Sequence, residues 1–189
     1  TWGSGTIVPE FEQRPAEHLT PHLVSLALRN HKQAYWSNVF PCINATPAGA
    51  GICIRAVVAR EYCRRHSEGT IQLTGRRGTA LVGHEDHEIA YVGCRLGYGM
   101  GVFPELRMTH LIPKERVSDE YFLQLAEANQ ISGGLLFYKW LGQIPPNPLS
   151  ARGILSIIKN VIFTRGFERR RHLAVARGRM AARRVIAKI

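Results

Sequence analysis

Along the chain, apolar residues follow a period of two in some segments and a period near 3.6 in others, which predicts strands and helices respectively. The strand-like segments are residues 5–12, 49–55, 97–104 and 105–113. The helix-like segments are residues 16–29, 56–66, 85–97, 118–141 and 154–162, and the stretch after Gly166. Strands mixed with helices in this way predict an α/β fold.

The segments between these elements carry less periodicity. Residues 30–48 contain Pro41, Pro47 and several aromatic and Asn residues, and a loop this long is usually functional, so we expect it to line a site. A polar stretch broken by glycines around 75–78 separates two of the predicted helices. In the helix over 56–66, the spacing predicts that Val57, Val58 and Tyr62 face inwards.

The clearest boundary in the chain is QIPPNPLS, residues 143–150, because its three prolines remove backbone donors and cannot continue a helix. We therefore predict a domain over 1–142, a proline-rich linker over 143–150 and a helical tail over 151–189. Within the tail, the apolar residues of 154–162 share one arc of a helical wheel, which predicts an amphipathic helix.

Charge is concentrated in that tail. Residues 151–189 hold 11 Lys and Arg against one acid, Glu168, in a chain of formal net charge +11. Such a basic end predicts an anionic partner. The apolar helical face beside the basic residues favours an anionic membrane surface over nucleic acid. Packing of that face on a missing part of the protein or on a second subunit is the remaining alternative.

Other features bear on location and completeness. The four cysteines have no C-x-x-C spacing, which predicts buried free thiols in a reducing compartment. Neither a secretory signal nor an apolar run long enough to cross a bilayer is present, so we expect a cytoplasmic protein held peripherally at the inner face of the cell membrane. The chain starts without Met, directly on a strand, which suggests a fragment.

Two adjacent acids, Glu85 and Asp86, are predicted to lie in the first turn of the helix over 85–97. The positive end of a helix dipole keeps a carboxylate ionised, as a general base must be. A pair of this kind suits a reaction in which one acid removes a proton while the other positions a hydroxyl. Acids that only cap the helix would give the same pattern.

The surrounding stretch, GHEDHEIAYVGCRLGYGMGVFPELRMTHLIPKERVS at residues 83–118, resembles the acceptor-side signature of family-2 glycosyltransferases with the GT-A fold. The similarity lies in the order of an ED pair, a helix ending in LGY, a short strand ending in Pro and a downstream His. It extends upstream to AGAGICIR and GTIVPEF, and thus covers about residues 3–142. The fold implied is a partial Rossmann-type acceptor subdomain with a basic helical extension.

The resemblance implies roles for individual residues in inverting transfer from a nucleotide-sugar donor to a glycan or lipid-linked acceptor. Asp86 would be the base that deprotonates the acceptor hydroxyl, and Glu85 would orient it. His110 would complete the coordination of a divalent metal, Mn²⁺ or Mg²⁺. The glycine loop would consist of Gly49, Ala50 and Gly51. The acceptor pocket would include Trp36, Ser37 and Asn38.

The chain departs from the family pattern at the donor side. It has only two aspartates, Asp86 and Asp119, so the Asp-x-Asp motif that provides most of the metal ligands is absent. We therefore expect this chain to transfer no sugar by itself, because the nucleotide-binding half is missing. Two alternatives stay open, namely a zinc site formed by His84, His87 and His110 with Cys94, and a non-catalytic module that binds membrane or glycan.

Overall fold

The computed structural model describes residues 1–69, 81 and 83–189, and the predicted polar stretch around 75–78 lies outside these residues. The described chain is mixed α/β. Its strands are β1 (Trp2–Phe11), β2 (Arg29–Asn30), β3 (Tyr35–Ser37), β4 (Ile52–Cys53) and β5 (Met100–Ile112). Its α-helices are α1 (Ala56–Ser67), α2 (Glu85–Arg95), α3 (Asp119–Leu141), α4 (Ala151–Phe163) and α5 (Gly166–Ile186). Short 3₁₀ helices cover Glu17–Leu26, Ile43–Ala45 and Lys114–Val117.

The chain divides into two compact units. The first takes its described residues from Thr1–Thr74 and Glu85–Lys114, and the second takes its described residues from Gly75–His84 and Glu115–Ile189. The predicted linker 143–150 lies inside the second unit, between α3 and α4, and does not coincide with this division. In this division α3 belongs with α4 and α5.

The first unit is built on an open mixed sheet of five strands in the described part of the chain, with the order β2-β1-β5-β3 and with β4 pairing β1. β1 and β5 run parallel, and the other pairs are antiparallel. A register shift between Ser4 and Thr6 interrupts the β1/β5 ladder. It is possible because Gly5 has no side chain, since a Cβ there would lie 2.6 Å from the Phe103 carbonyl carbon.

This register shift explains one wrong prediction. Pro104 was expected to separate two short extended segments, whereas β5 continues through it as one strand. A proline has no N–H for the ladder, and the irregularity leaves room for it. The Pro104 carbonyl oxygen accepts a hydrogen bond from Thr6 Oγ1 at 2.9 Å.

Most predicted helices are confirmed with shifts of one to three residues at their ends. The exception is the helix over 16–29, which is a 3₁₀ helix at Glu17–Leu26, because Pro21 inside it cannot donate an i to i−4 hydrogen bond. In α1, Val58 is fully buried as predicted and Tyr62 is half-buried, but Val57 is 37% exposed. None of the described helices is both long and apolar enough to cross a membrane.

The second unit consists mainly of α3, α4 and α5. Ser118 caps α3 by accepting a hydrogen bond from the Tyr121 N–H, and Gly142 ends it in the left-handed conformation. Ser150 caps α4 in the same way, by accepting from the Gly153 N–H. The most extensive contact between helices of this unit is the one between α3 and α5. Part of the basic tail therefore packs within the second unit.

The cysteine prediction is half right. All four cysteines are free thiols, but none is buried. Cys53 and Cys63 are exposed, and Cys42 and Cys94 are half-buried.

Candidate functional site

The predicted carboxylate pair lies in the first turn of α2, where the sequence placed it. Both oxygens of Asp86 are hydrogen-bonded. Oδ2 accepts from the Gly49 N–H at 2.7 Å, and Oδ1 accepts from the His87 N–H at 2.8 Å and lies 2.9 Å from His87 Nδ1. The aspartate thus connects the start of α2 to the glycine segment between the Ile43–Ala45 helix and β4.

Asp86 is ionised because of these bonds. Burial by itself would raise the pKa of this carboxyl, but the His87 side chain, its charge and the backbone N–H groups of Gly49 and His87 lower the pKa to about 2. The folded-state pKa therefore lies below the ordinary value of 3.8. The interaction stabilises the fold above about pH 4 and is lost as the pH falls towards 2.

Glu85 and His110 differ from Asp86 in a way that matters for function. Glu85 Oε2 and His110 Nδ1 are both buried and have no hydrogen-bond partner among the described residues. Buried polar atoms are paired in nearly all folded proteins, so each exception needs an explanation. Thr1 Oγ1 is in the same condition, although the sequence did not single it out. At Glu85 and His110, which the sequence did single out, a ligand would complete the hydrogen bonding.

A chain of contacts relates His110 to the glycine segment. Met108 and His110 are two residues apart on β5 and therefore face the same side of the sheet, and both are half-buried whereas their neighbours are exposed. Met108 Sδ lies 2.6 Å from the position that a Cβ on Gly51 would take. His110 is thus on the sheet face that carries Gly51. Gly51 in turn lies two residues after Gly49, whose N–H binds Asp86.

The three residues of the predicted glycine loop have different structural roles. Gly49 is exposed and donates its N–H to Asp86, and Ala50 is half-buried. Gly51 has φ +73°, and a Cβ there would lie 2.6 Å from both Met108 Sδ and Ser4 Oγ. Glycine is therefore required at position 51 by the fold itself, before any ligand is considered.

The predicted acceptor-pocket residues lie elsewhere in the first unit. Ser37 makes a local turn, because its hydroxyl donates to the Val39 carbonyl and accepts from the Val39 N–H. Asn38 is exposed and follows β3. Trp36 is 76% exposed and lines an open groove of about 670 Å³ together with Trp2, Phe103 and Leu106.

This groove is an aromatic surface on the sheet. Gly101 of β5 is the strand-pairing partner of both Trp2 in β1 and Trp36 in β3. The two indoles therefore flank a residue that has no side chain. The residues that line the groove include neither Glu85, Asp86 nor His110. The groove beside Trp36 therefore does not include the carboxylate pair.

Three residues near Asp86 were missed by the sequence analysis. His87 was considered only as a zinc ligand, yet its side chain bonds Asp86. Arg29 of β2 is largely buried, which lowers its pKa, and the negative charge of Asp86 offsets part of this effect. Burial, with the charges of Glu88 and Glu85, raises the pKa of Tyr62 to about 12. The adjacency of Asp86 and His87 was a visible signal, whereas Arg29 and Tyr62 reach the site only through the fold.

The zinc alternative receives no support from the described residues, which contain no group of three or more His, Cys, Asp or Glu arranged to hold a metal ion. Within the second unit, His84 Nδ1 lies 2.9 Å from Ser132 Oγ of α3. His87 Nδ1 is engaged with Asp86. The predicted set of histidines is thus divided among separate interactions.

Comparisons with known proteins did not identify a relative. No protein-family model, curated protein or solved structure matches this chain. The functional conclusion therefore depends on the residues of the site and on the motif resemblance described above.

Proposed function

We propose that this chain is the acceptor-side part of an inverting, metal-dependent glycosyltransferase that resembles family 2. The observations that carry the proposal are the fixed carboxylate of Asp86 at the start of α2 and two buried polar atoms, one on Glu85 and one on His110 of β5. Asp86 is ionised and held by the Gly49 N–H, while Glu85 Oε2 and His110 Nδ1 are buried without a partner in the described chain. A ligand with a hydroxyl and an anionic group would satisfy such atoms.

In this proposal Asp86 is the general base for the acceptor hydroxyl. Its hydrogen bonds fix the carboxylate in one orientation, which is the main requirement for a positioned base. A carboxylate with a pKa of about 2 has little affinity for a proton from a resting hydroxyl. It accepts the proton late, when the hydroxyl oxygen is already bonding to the sugar carbon and has become strongly acidic.

Glu85 and His87 have supporting roles. Glu85 Oε2 has no partner in the described chain and is available to accept a hydrogen bond from the acceptor. His87 holds the Asp86 carboxylate through both its backbone N–H and Nδ1, and so acts on the acceptor only through Asp86.

The metal would be held in part by His110. Its buried Nδ1 has no partner in the described residues, and a neutral imidazole nitrogen is a common metal ligand. Because Mn²⁺ and Mg²⁺ prefer oxygen ligands, His110 would supply one ligand and carboxylates would supply most of the others. A bound divalent cation would neutralise charge on the departing diphosphate. The other ligands, and the site for the nucleotide-sugar donor, would come from a nucleotide-binding half that carries an Asp-x-Asp motif.

The decisive experiment uses this chain joined to its nucleotide-binding half. Release of nucleoside diphosphate is measured with a panel of nucleotide sugars, a glycan or lipid-linked acceptor and Mn²⁺. Asp86→Asn should lower turnover by about 10²- to 10⁴-fold, because the amide keeps the shape but cannot take a proton.

The matched control is Asp119→Asn, which changes the only other aspartate of the chain and leaves the site intact. It should retain turnover close to that of the unchanged protein. Full turnover by Asp86→Asn, with the fold verified by circular dichroism, would refute the assignment of Asp86 as the base.

One observation favours a second candidate function, a non-catalytic module that binds membrane or glycan. The hydrogen bonds that Asp86 makes in the described chain are all internal. A carboxylate whose only task is to hold the Gly49 segment against α2 would make the same bonds. The two candidates differ in donor binding. If the joined protein binds none of the nucleotide sugars in isothermal titration with Mn²⁺, the module is correct and the enzyme is not.

A further inference from the structure

Helix α4 is an amphipathic helix whose apolar side is left uncovered within the second unit. None of its 13 residues is buried. The large apolar residues of α4 that are exposed are Ile154 (44%), Leu155 (67%), Ile158 (48%), Ile162 (66%) and Phe163 (77%). Leu149, just before the helix, is also 66% exposed. A soluble surface rarely exposes so many large apolar side chains next to one another.

The helix is not simply detached, because its opposite edge packs. α4 contacts α5, and Gly153, Ile157 and Val161 are half-buried at i, i+4 and i+8. Ile154, Ile158 and Ile162 follow one position later at the same spacing and lie exposed beside them. The α4 arc, defined here as Ile154, Leu155, Ile158 and Ile162, is therefore held in place by the packed edge and faces outwards.

The charges that α4 itself carries have one sign. At 100° per residue, Arg152 and Lys159 lie together on the wheel, next to Leu155 at the edge of the arc. Residues 141–167 contain no acid, Arg165 lies two residues after the end of the helix, and Glu168 is the first acid beyond it. Within the described residues, neither Arg152 nor Lys159 makes an ion pair. Both charges are thus available to an external anionic surface.

We propose that the α4 arc inserts into the interface of an anionic lipid bilayer, with Arg152 and Lys159 at the headgroups. An apolar arc bordered by cations is the pattern of helices that lie in the plane of a membrane interface. The occupant is lipid because α4 combines a wide exposed apolar area with positive charges that make no ion pair in the described chain, and α4 carries no acid. The inference does not depend on the proposed catalytic activity.

The proposal places the membrane contact on α4 rather than on α5. The sequence predicted contact through the whole tail 151–189, but α5 buries six residues, and several of its arginines bond to α3. A helix in that arrangement cannot turn its packed side to lipid without leaving α3. The bilayer therefore meets α4, and α5 supports α4 from the protein side.

The test is sedimentation of the chain with large vesicles. Vesicles of 30:70 phosphatidylglycerol and phosphatidylcholine are compared with pure phosphatidylcholine, over a series of NaCl concentrations. We expect binding to the anionic vesicles that weakens as salt rises, because the Debye length shortens. Equal binding to both vesicle types, or none to either, overturns the proposal.

Two pairs of variants locate the contact. Ile154→Ser with Ile158→Ser should lower the partition coefficient on anionic vesicles by about tenfold or more, since apolar area no longer enters the interface. Leu173→Ser, an apolar residue of α5 that is 37% exposed, should change it less than about twofold. Arg152→Gln with Lys159→Gln should lower it by up to about thirtyfold.

The charge control is Arg184→Gln with Lys188→Gln, which removes the same net charge near the end of the chain. A smaller loss in this control supports α4, and an equal loss overturns it, because binding would then depend on total charge alone. Circular dichroism verifies that each variant is helical. Light scattering tests the competing occupant, since a dimer that the Ile154 and Ile158 changes dissociate would show that a second copy covers the arc.

Discussion

Helices α4 and α5 are neighbours in the sequence, both belong to the basic tail, and yet they have opposite environments. α5 buries Phe167, Ala174, Ala176, Gly178, Ala182 and Ile186, whereas α4 buries no residue. The more apolar of the two helices by sequence is the one left exposed. Overall hydrophobicity therefore does not decide which helix enters a protein core.

The difference arises from side-chain size at the helix contact. A Cβ at Gly178 would meet the Glu127 carbonyl oxygen and would lie 2.8 Å from Gln130 Cβ, so α5 and α3 approach backbone to backbone. A Cβ at Gly134 would lie 2.9 Å from Ala182 Cβ on the same interface. Small residues allow this approach, which lets many atoms come into contact.

Charge distinguishes the two helices as well. Arg170 pairs with Glu120 at 3.0 Å, and Arg177 pairs with Glu127 at 2.8 Å. Arg183 donates to the Pro145 carbonyl at 2.8 Å. Part of the positive charge that predicted an external anionic partner is thus used inside the second unit. Within the part of the chain that the structure describes, neither Arg152 nor Lys159 of α4 forms an ion pair.

The largest expected effect compares two phenylalanines four residues apart. Phe167 is 8% exposed in α5, and Phe163 is 77% exposed in α4. Phe167→Ala should lower the free energy of unfolding by about 3 kcal/mol, because it leaves a cavity, while Phe163→Ala should change it by less than about 0.5 kcal/mol. Urea unfolding followed by circular dichroism measures both. Equal losses would mean that α4 is also part of the core.

A second pair adds volume instead of removing it. Gly178→Leu should cost about 2 kcal/mol of unfolding free energy, because the side chain has no room between α5 and α3. Ser156→Leu adds a large apolar group at an exposed position of α4 and should stay within about 0.5 kcal/mol. The same urea titration applies. A tolerated leucine at 178 would show that the two backbones can separate at little cost.

The smallest effect tests the ion pairs. Arg177→Gln should cost about 0.5 kcal/mol at low salt and less at 1 M NaCl, since both partners are partly exposed and salt screens them. Lys159→Gln in α4, which breaks no pair in the described chain, should leave the free energy of unfolding unchanged at both salt concentrations. If salt changes the free energy of unfolding of neither variant, charge pairing does not contribute to the stability of α5.

The candidate site could be predicted only in part. The first-turn position of Glu85 and Asp86 followed from periodicity and a glycine stop, because a helix start is a local feature. The hydrogen bond from Gly49 to Asp86 spans 37 residues of sequence. Because its donor is a backbone N–H, no pattern of side chains predicts it. The proximity of Arg29 to Asp86 depends in the same way on how β2 meets the sheet.

The sequence by itself determined where most helices and strands lie, which helix face is apolar and where the charge accumulates, since these depend on neighbours a few residues apart. Only the tertiary structure decided that β5 is one strand, that α5 rather than α4 packs on α3, and that Glu85 and His110 keep buried polar atoms without partners in the described chain. These outcomes depend on contacts between distant segments, where shape and the pairing of buried polar groups select one arrangement.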